Sequence, residues 1–158
     1  MSIKQILKLT ACIIAPLLIG GLSGYFTSNE VNSEWYINLV KPAINPPAWV
    51  FGPVWTLLYL LMGVSLFMIV NTEKSAQRTK ALFIFSAQIF LNFWWSILFF
   101  SFHWLHVSIL EILVLWGFIV AMIIIFRKIK PFAAYLQIPY LLWVSFATIL
   151  NMAFLWVN

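Results

Sequence analysis

"NPPAWVFGPVWTLLYLLMGVSLFMIV", Asn45–Val70, decides the fold. An entry crowded with prolines and tryptophans leads into a run, Ala48–Val70, that holds no charged side chain and is close to the roughly 20 residues needed to cross a bilayer core. The same reading extends outward on both sides. Ile6–Phe26, Ala81–Phe102, Val107–Phe126 and Phe132–Val157 are further runs with at most one charge each. Of the 158 residues 64% are hydrophobic and 8% are charged, about a third of the charged share usual in soluble domains. The expectation is an all-α integral membrane bundle of five transmembrane helices, one domain over residues 1–158.

The connections leave no room for a soluble domain. They are a longer loop, Thr27–Pro47, a polar turn "NTEKSAQRTK" (Asn71–Lys80), a short link His103–His106 and "RKIKP" (Arg127–Pro131). A net charge of +5 would suit nucleic acid, but the basic residues follow topology instead. Lys4 and Lys8, then Lys74, Arg78 and Lys80, then Arg127, Lys128 and Lys130 fall on one side, against Lys41 alone on the other. The positive-inside rule then places the N-terminus in the cytoplasm and the C-terminus outside, in a bacterial inner membrane. The lipid bilayer, not nucleic acid, is the partner of these charges. The single cysteine, Cys12, allows no internal disulfide. Lys4, Lys8 and the small residues Gly20, Gly21 and Ser23 resemble a signal peptide, but the length of the first run favours a retained span. No matched pair of broken helices points to an inverted-repeat transporter.

Pro46 and Pro47 stiffen the entry to the second span, and Pro53 falls within its first two turns, where its ring and missing N–H predict a rigid, kinked mouth. Trp49, Trp104 and Trp156 suit the aromatic belt at a membrane boundary. Trp55 lies deeper, roughly 10 Å into the span, and shares a stripe with Tyr59 and Met62. Gln88, Asn92 and Trp95 fall on one face of the third span; Tyr140, Trp143, Ala147 and Asn151 fall on one face of the fifth. Lipid cannot satisfy carboxamides, so both faces should point inward. Trp55, Trp95 and Asn151 come to a similar depth, with Tyr59, Asn92 and Ala147 up to two turns below. Two readings stay open at this point: hydrogen-bonded glue between helices, or the wall of a ligand pocket.

"WYINLVKPAINPPAWVFGPVWTLLYLLMG" (Trp35–Gly63), "AQIFLNFWWSILFF" (Ala87–Phe100) and "IPYLLWVSFATILN" (Ile138–Asn151) closely resemble the TspO/MBR family, in order and over nearly the whole chain. The resemblance implies a five-helix bundle, usually a homodimer, with a pocket opening toward the first loop. It also implies binding of porphyrins, protoporphyrin IX or haem, as ligand or substrate, with light-dependent degradation reported for some relatives. Carried over by motif, the pocket positions are Trp35 and Tyr36 in the loop; Pro46, Pro47, Phe51 and Trp55 at the second span; Asn92 and Trp95 in the third; and Tyr140, Trp143, Phe146, Ala147 and Asn151 in the fifth. Tyr59 joins them through its stripe with Trp55. Trp55 and Trp143 match the tryptophans tied to porphyrin chemistry and are the candidate catalytic residues. Two readings stay open for Lys41: a solvated loop lysine, or a cation that attracts a propionate at the mouth. The sterol motif of some relatives is missing, because no Lys or Arg follows Lys130. Gly20 and Gly24 offer a small-residue contact for a dimer or for packing inside one bundle.

Glu111 is the one carboxylate within a span, and intramembrane acids are functional candidates. His103 and His106, with no acid or thiol beside them in sequence, make a poor metal site. With no aspartate in the chain, Ser-His-Asp chemistry is excluded. Porphyrin binding with breakdown or sensing, passive carriage of hydrophobic metabolites, and a structural role without turnover all remain compatible with one aromatic slot.

Overall fold

The computed structural model describes residues 2–158. Helices α1 (Ile3–Thr27), α2 (Glu34–Asn38), α3 (Ala48–Val70), α4 (Ala76–Ser96), α5 (Leu105–Ile129), α6 (Pro131–Tyr135) and α7 (Ile138–Val157) follow one another. Five segments, with α6 and α7 together forming the last, are long and apolar enough to span a membrane. The chain is a multi-pass membrane protein.

Local chemistry sets where these helices begin and end. At the start of α1, Gln5 N–H donates to the Ser2 hydroxyl at 3.3 Å and Ser2 N–H donates to the Gln5 side chain at 2.9 Å, a reciprocal cap. The Ser75 hydroxyl accepts from Arg78 N–H at 3.1 Å, so α4 begins at Ala76, a turn before the expected Ala81. Arg78 and Lys80 therefore stand on a helix and not in a turn. Arg127 and Lys128 likewise sit in the last turn of α5, where cations complement unpaired carbonyls.

Three departures from the expected runs matter. The stretch Phe132–Val157 is not one helix. Pro139 cannot donate to the Tyr135 carbonyl and its ring would clash there, so α6 stops at Tyr135 and α7 starts at Ile138. The break frees the Ala133 carbonyl, which accepts from the Ser65 hydroxyl of α3 at 2.7 Å. Secondly, the end of the third span is a π-helical turn, Ile97–Ser101. Thirdly, the Thr27–Pro47 connection holds a 3-10 turn (Glu30–Asn32) and α2. Through Pro53, by contrast, α3 continues without interruption.

Helices α1 and α3 come into backbone contact at Gly63. A Cβ there would lie 2.5 Å from the Ile13 Cα and 2.8 Å from the Cys12 carbonyl oxygen. Pro16, buried within α1, explains why that carbonyl is available: its missing N–H is the one that would have bonded Cys12. The Gly63 Cα–H points at the freed oxygen, a weak but recurring contact between close helices. Two turns along α1, Gly20 faces the Tyr59 ring so closely that a Cβ would overlap it. Gly20 is therefore used for packing within the bundle, whereas a Cβ at Gly24 would meet nothing within 4 Å.

A hydrogen-bonded chain crosses the bundle at the same level. Tyr59 O–H donates to Asn92 Oδ1 at 2.6 Å, Asn92 Nδ2 donates to the Tyr140 hydroxyl at 3.1 Å, and Tyr140 O–H donates to Gln88 Oε1 at 3.0 Å. Asn151 and Ser108 pair α7 with α5, Nδ2–H to hydroxyl at 3.1 Å and hydroxyl to Oδ1 at 3.3 Å. These bonds hold the helices where lipid offers no hydrophobic drive for association. Glu111, by contrast, has both carboxyl oxygens enclosed and without a hydrogen-bond partner.

Gly63→Ala is expected to destabilise the bundle by about 1–3 kcal/mol, since backbone must move. Gly117→Ala, with nothing within 4 Å of its Cβ, should be neutral or gain up to about 1 kcal/mol; unfolding titrations in mixed micelles compare the two. Asn92→Leu leaves Tyr59 O–H without its acceptor and should cost about 1–3 kcal/mol in the same assay.

Candidate functional site: the cavity under the loop

Beyond Gly20 and Tyr59 the two helices diverge, and the space between them is a cavity of about 870 Å³. That is within the usual size of small-molecule sites, roughly 300–1,000 Å³. The Tyr59 ring, stacked on Trp55 with centroids 5.4 Å apart, closes its floor. Gly21 and Gly24 of α1, and Gly52 and Thr56 of α3, form its sides. At both Gly21 and Gly24 a Cβ would meet nothing within 4 Å. Trp95, Ser96 and Phe100 close the far wall, and Val31, Tyr36, Ile37 and Lys41 from the loop cover it.

The loop is seated by its own small helix. Ser33 O–H donates to the Glu30 carbonyl at 2.7 Å and accepts from Tyr36 N–H at 3.2 Å, joining the 3-10 turn to α2. Farther along, the Val40 peptide is bound on both sides by the Asn158 amide, at 2.9 and 3.1 Å. The only charged side chain on the cavity wall is Lys41, whose Nζ lies 4.9 Å from the centroid of the Tyr36 ring. Burial raises the Tyr36 phenol above its ordinary pKa, with Asn45 opposing the shift, so Tyr36 stays a neutral donor. Trp95 Nε1–H and Asn45 Oδ1 are enclosed and have no protein partner.

A second, much smaller space of about 30 Å³ lies behind the first. Tyr36, Asn45, Phe51, Trp55, Trp95 and Phe100 border both spaces and so form the partition. Trp143, Phe146, Ala147 and Asn151 line only the small space. Phe51 stands edge-on to Trp143 at 5.9 Å.

The candidate residues therefore separate into groups. Tyr36, Pro46, Pro47, Phe51, Trp55, Tyr59 and Trp95 face the large cavity. Asn92 and Tyr140 border neither space and are occupied in the hydrogen-bonded chain beneath it. Trp35 borders neither; it packs edge-on to Phe99 at 6.2 Å and stacks on His103 at 4.0 Å. Sequence reasoning missed Gly21, Gly24, Asn45, Thr56 and Phe100 as wall residues. The run of small residues in the first span was the available signal, but it reads equally as helix packing.

The TspO/MBR family profile matches residues 12–157. The chain is similar to the tryptophan-rich protein TspO of Chlorobaculum tepidum, 39% identical over 156 residues and covering 98% of both chains. It is similar as well to the tryptophan-rich protein TspO of Archaeoglobus fulgidus, 41% identical with 98% and 99% covered. To the human translocator protein it is 34% identical over 143 residues, covering 87% of this chain and 82% of the relative. Profile and relatives extend over both walls of the cavity, its floor and the loop above it, and the chain belongs to the TspO/MBR family.

Proposed function

We propose that the protein binds tetrapyrroles of the protoporphyrin IX or haem type in the large cavity, plate edge-in between α1 and α3. The observation that carries this reading is the cavity itself: about 870 Å³, walled by indole, phenol and phenyl rings, with one cation at the mouth. A flat aromatic plate gains from offset and edge-on ring contacts, and a propionate is matched by Lys41 and by the neutral Tyr36 phenol. The enclosed Trp95 N–H and Asn45 carbonyl offer one donor and one acceptor for polar atoms of a ligand.

Trp55 is the residue for any light-driven electron exchange with a bound ring, since its indole faces the cavity and is stacked on Tyr59. Trp143 acts at one remove, from behind Phe51. The protein works in a bacterial inner membrane, with the loop end of the bundle outside as the basic residues dictate, and as a homodimer.

Passive carriage of intact hydrophobic molecules is the second reading. Gly21, Gly24, Gly52 and Thr56 are exposed yet line the cavity, so the divergence of α1 and α3 opens sideways toward lipid. Flux of unaltered porphyrin into vesicles, with no new absorbance bands under illumination, favours carriage over breakdown.

Fluorescence titration of the reconstituted protein with protoporphyrin IX should give saturable binding; its absence removes the proposal. Trp55→Phe should weaken binding about two- to tenfold, while Trp143→Phe stays within about twofold. Lys41→Met should weaken protoporphyrin IX about two- to fivefold and leave its uncharged dimethyl ester unaffected. Equal losses for both compounds would show that Lys41 shapes the loop and does not read a carboxylate.

A further inference from the structure

We propose that His103 is a pH-responsive latch that holds the loop helix α2 over the cavity, tight when its imidazole is protonated and loose when it is neutral. Nothing in this inference depends on which ligand the cavity takes.

The geometry at His103 is unusual in three linked ways. It is the one non-glycine residue with positive φ among the described residues, at 58°, a left-handed conformation that few residue types tolerate, with histidine among the enriched ones. It follows directly on the π-helical turn, closed by Phe102 N–H to the Ile97 carbonyl at 2.9 Å and Trp104 N–H to the Leu98 carbonyl at 3.0 Å. Together these irregularities turn the chain out of α4, into α5, and set the imidazole face to face on Trp35, centroids 4.0 Å apart and planes 16° from parallel. His103 Nε2 also stands 3.6 Å from a Glu30 carboxylate oxygen.

Both contacts belong to the loop. Glu30 lies on the 3-10 turn and Trp35 on α2, and the Ser33 hydroxyl ties the two together. Tyr36, next in sequence to Trp35, faces the cavity. One side chain outside the loop thus grips it at two points, directly behind the residue that covers the site.

Histidine is the side chain whose charge ordinarily changes between about pH 5 and 8. Protonation adds a cation–π attraction to Trp35 and a charge attraction to Glu30. Deprotonation leaves stacking alone. The sign follows: the added hold is present at acid pH and is lost as pH rises. The other charged or titratable groups on the surrounding elements are Glu34, Tyr36 and Lys41 on the loop and His106 at the start of α5; the π-helical turn carries none, and the one on α7, Tyr140, is bonded into the chain with Asn92 and Gln88. Glu30 is the ion-pair partner of His103 among the described residues.

The test needs no porphyrin. A nitroxide is attached at Asn38→Cys, on the exposed side of α2, in the full chain carrying Cys12→Ala and reconstituted in nanodiscs. Spectra are recorded at about pH 5.5 and about pH 8. The mobile component should rise about two- to fivefold at the higher pH. With His103→Asn, neutral and suited to the left-handed backbone, it should be high at both values. With His103→Arg, whose planar cation keeps both contacts, it should be low at both. Glu30→Gln should reduce the pH-dependent change. Circular dichroism verifies that each variant retains its helix content. A parent protein whose spectrum ignores pH, or a His103→Asn or His103→Arg variant that titrates as the parent does, overturns the latch. If His103→Asn does not fold, the flat response of His103→Arg and the reduced one of Glu30→Gln decide the matter.

Discussion

The close approach of α1 and α3 at Gly63 is the constraint from which the site follows. Two helices can touch backbone to backbone only where one presents no side chain, and here the contact is reinforced by a carbonyl that Pro16 leaves unbonded in the facing helix. A contact this tight at one level, with rigid helices on both sides, obliges the pair to separate elsewhere or to fill the gap. One turn beyond it the gap is filled by Tyr59 under Gly20. Beyond that it is left open, and the glycines of α1 that could have packed against α3 border space instead. The cavity is therefore a product of helix geometry, not of a missing side chain that a single larger residue would restore.

The polar groups within the bundle divide their work by depth. Asn92, Tyr140 and Gln88 are consumed in holding α3, α4 and α7 together beneath the floor. One donor and one acceptor position of the Asn92 amide are already filled, and the residue borders neither space, so it is held as part of the network and not presented to the cavity. The groups that the fold has left without partners at the cavity are Trp95 Nε1–H and Asn45 Oδ1. Tyr59 belongs to both sets, with its ring to the cavity and its hydroxyl to the network. A change in how the Trp55–Tyr59 stack sits would be felt at Asn92, so the stack couples the cavity floor to the network.

Spans were legible because the bilayer imposes a length and forbids charge, two properties that composition records directly. The bounds of α3 match the uncharged run at both ends, since Pro47 cannot continue a helix backward and a polar turn follows Val70. The break before α7 was not legible from hydropathy, which is continuous there; it required setting Pro139 against the carbonyl four residues earlier. Helical periodicity correctly placed Tyr59 and Asn92 near one another, yet it reports only the face on which a residue stands. It could not distinguish an amide bonded to two tyrosines from one awaiting a ligand, nor show that Phe51 stands between Trp143 and the main cavity. Gly21 and Gly24 were ambiguous for the same reason, since a small residue permits close packing and open space equally.

Phe51, Trp55, Trp95 and Phe100 form a partition between two spaces of very different size. It separates a large space bordered by α1 and α3 from a small one lined by α7. The small space, about 30 Å³, is far below the volume of an aromatic ring. Reaching Trp143 from the large space would require Phe51 to move, which costs its edge-on contact, about 0.5–1.5 kcal/mol, in addition to the apolar area it buries. Access is therefore graded by the fold: Trp55 borders the large space directly, and Trp143 is reached only past the partition.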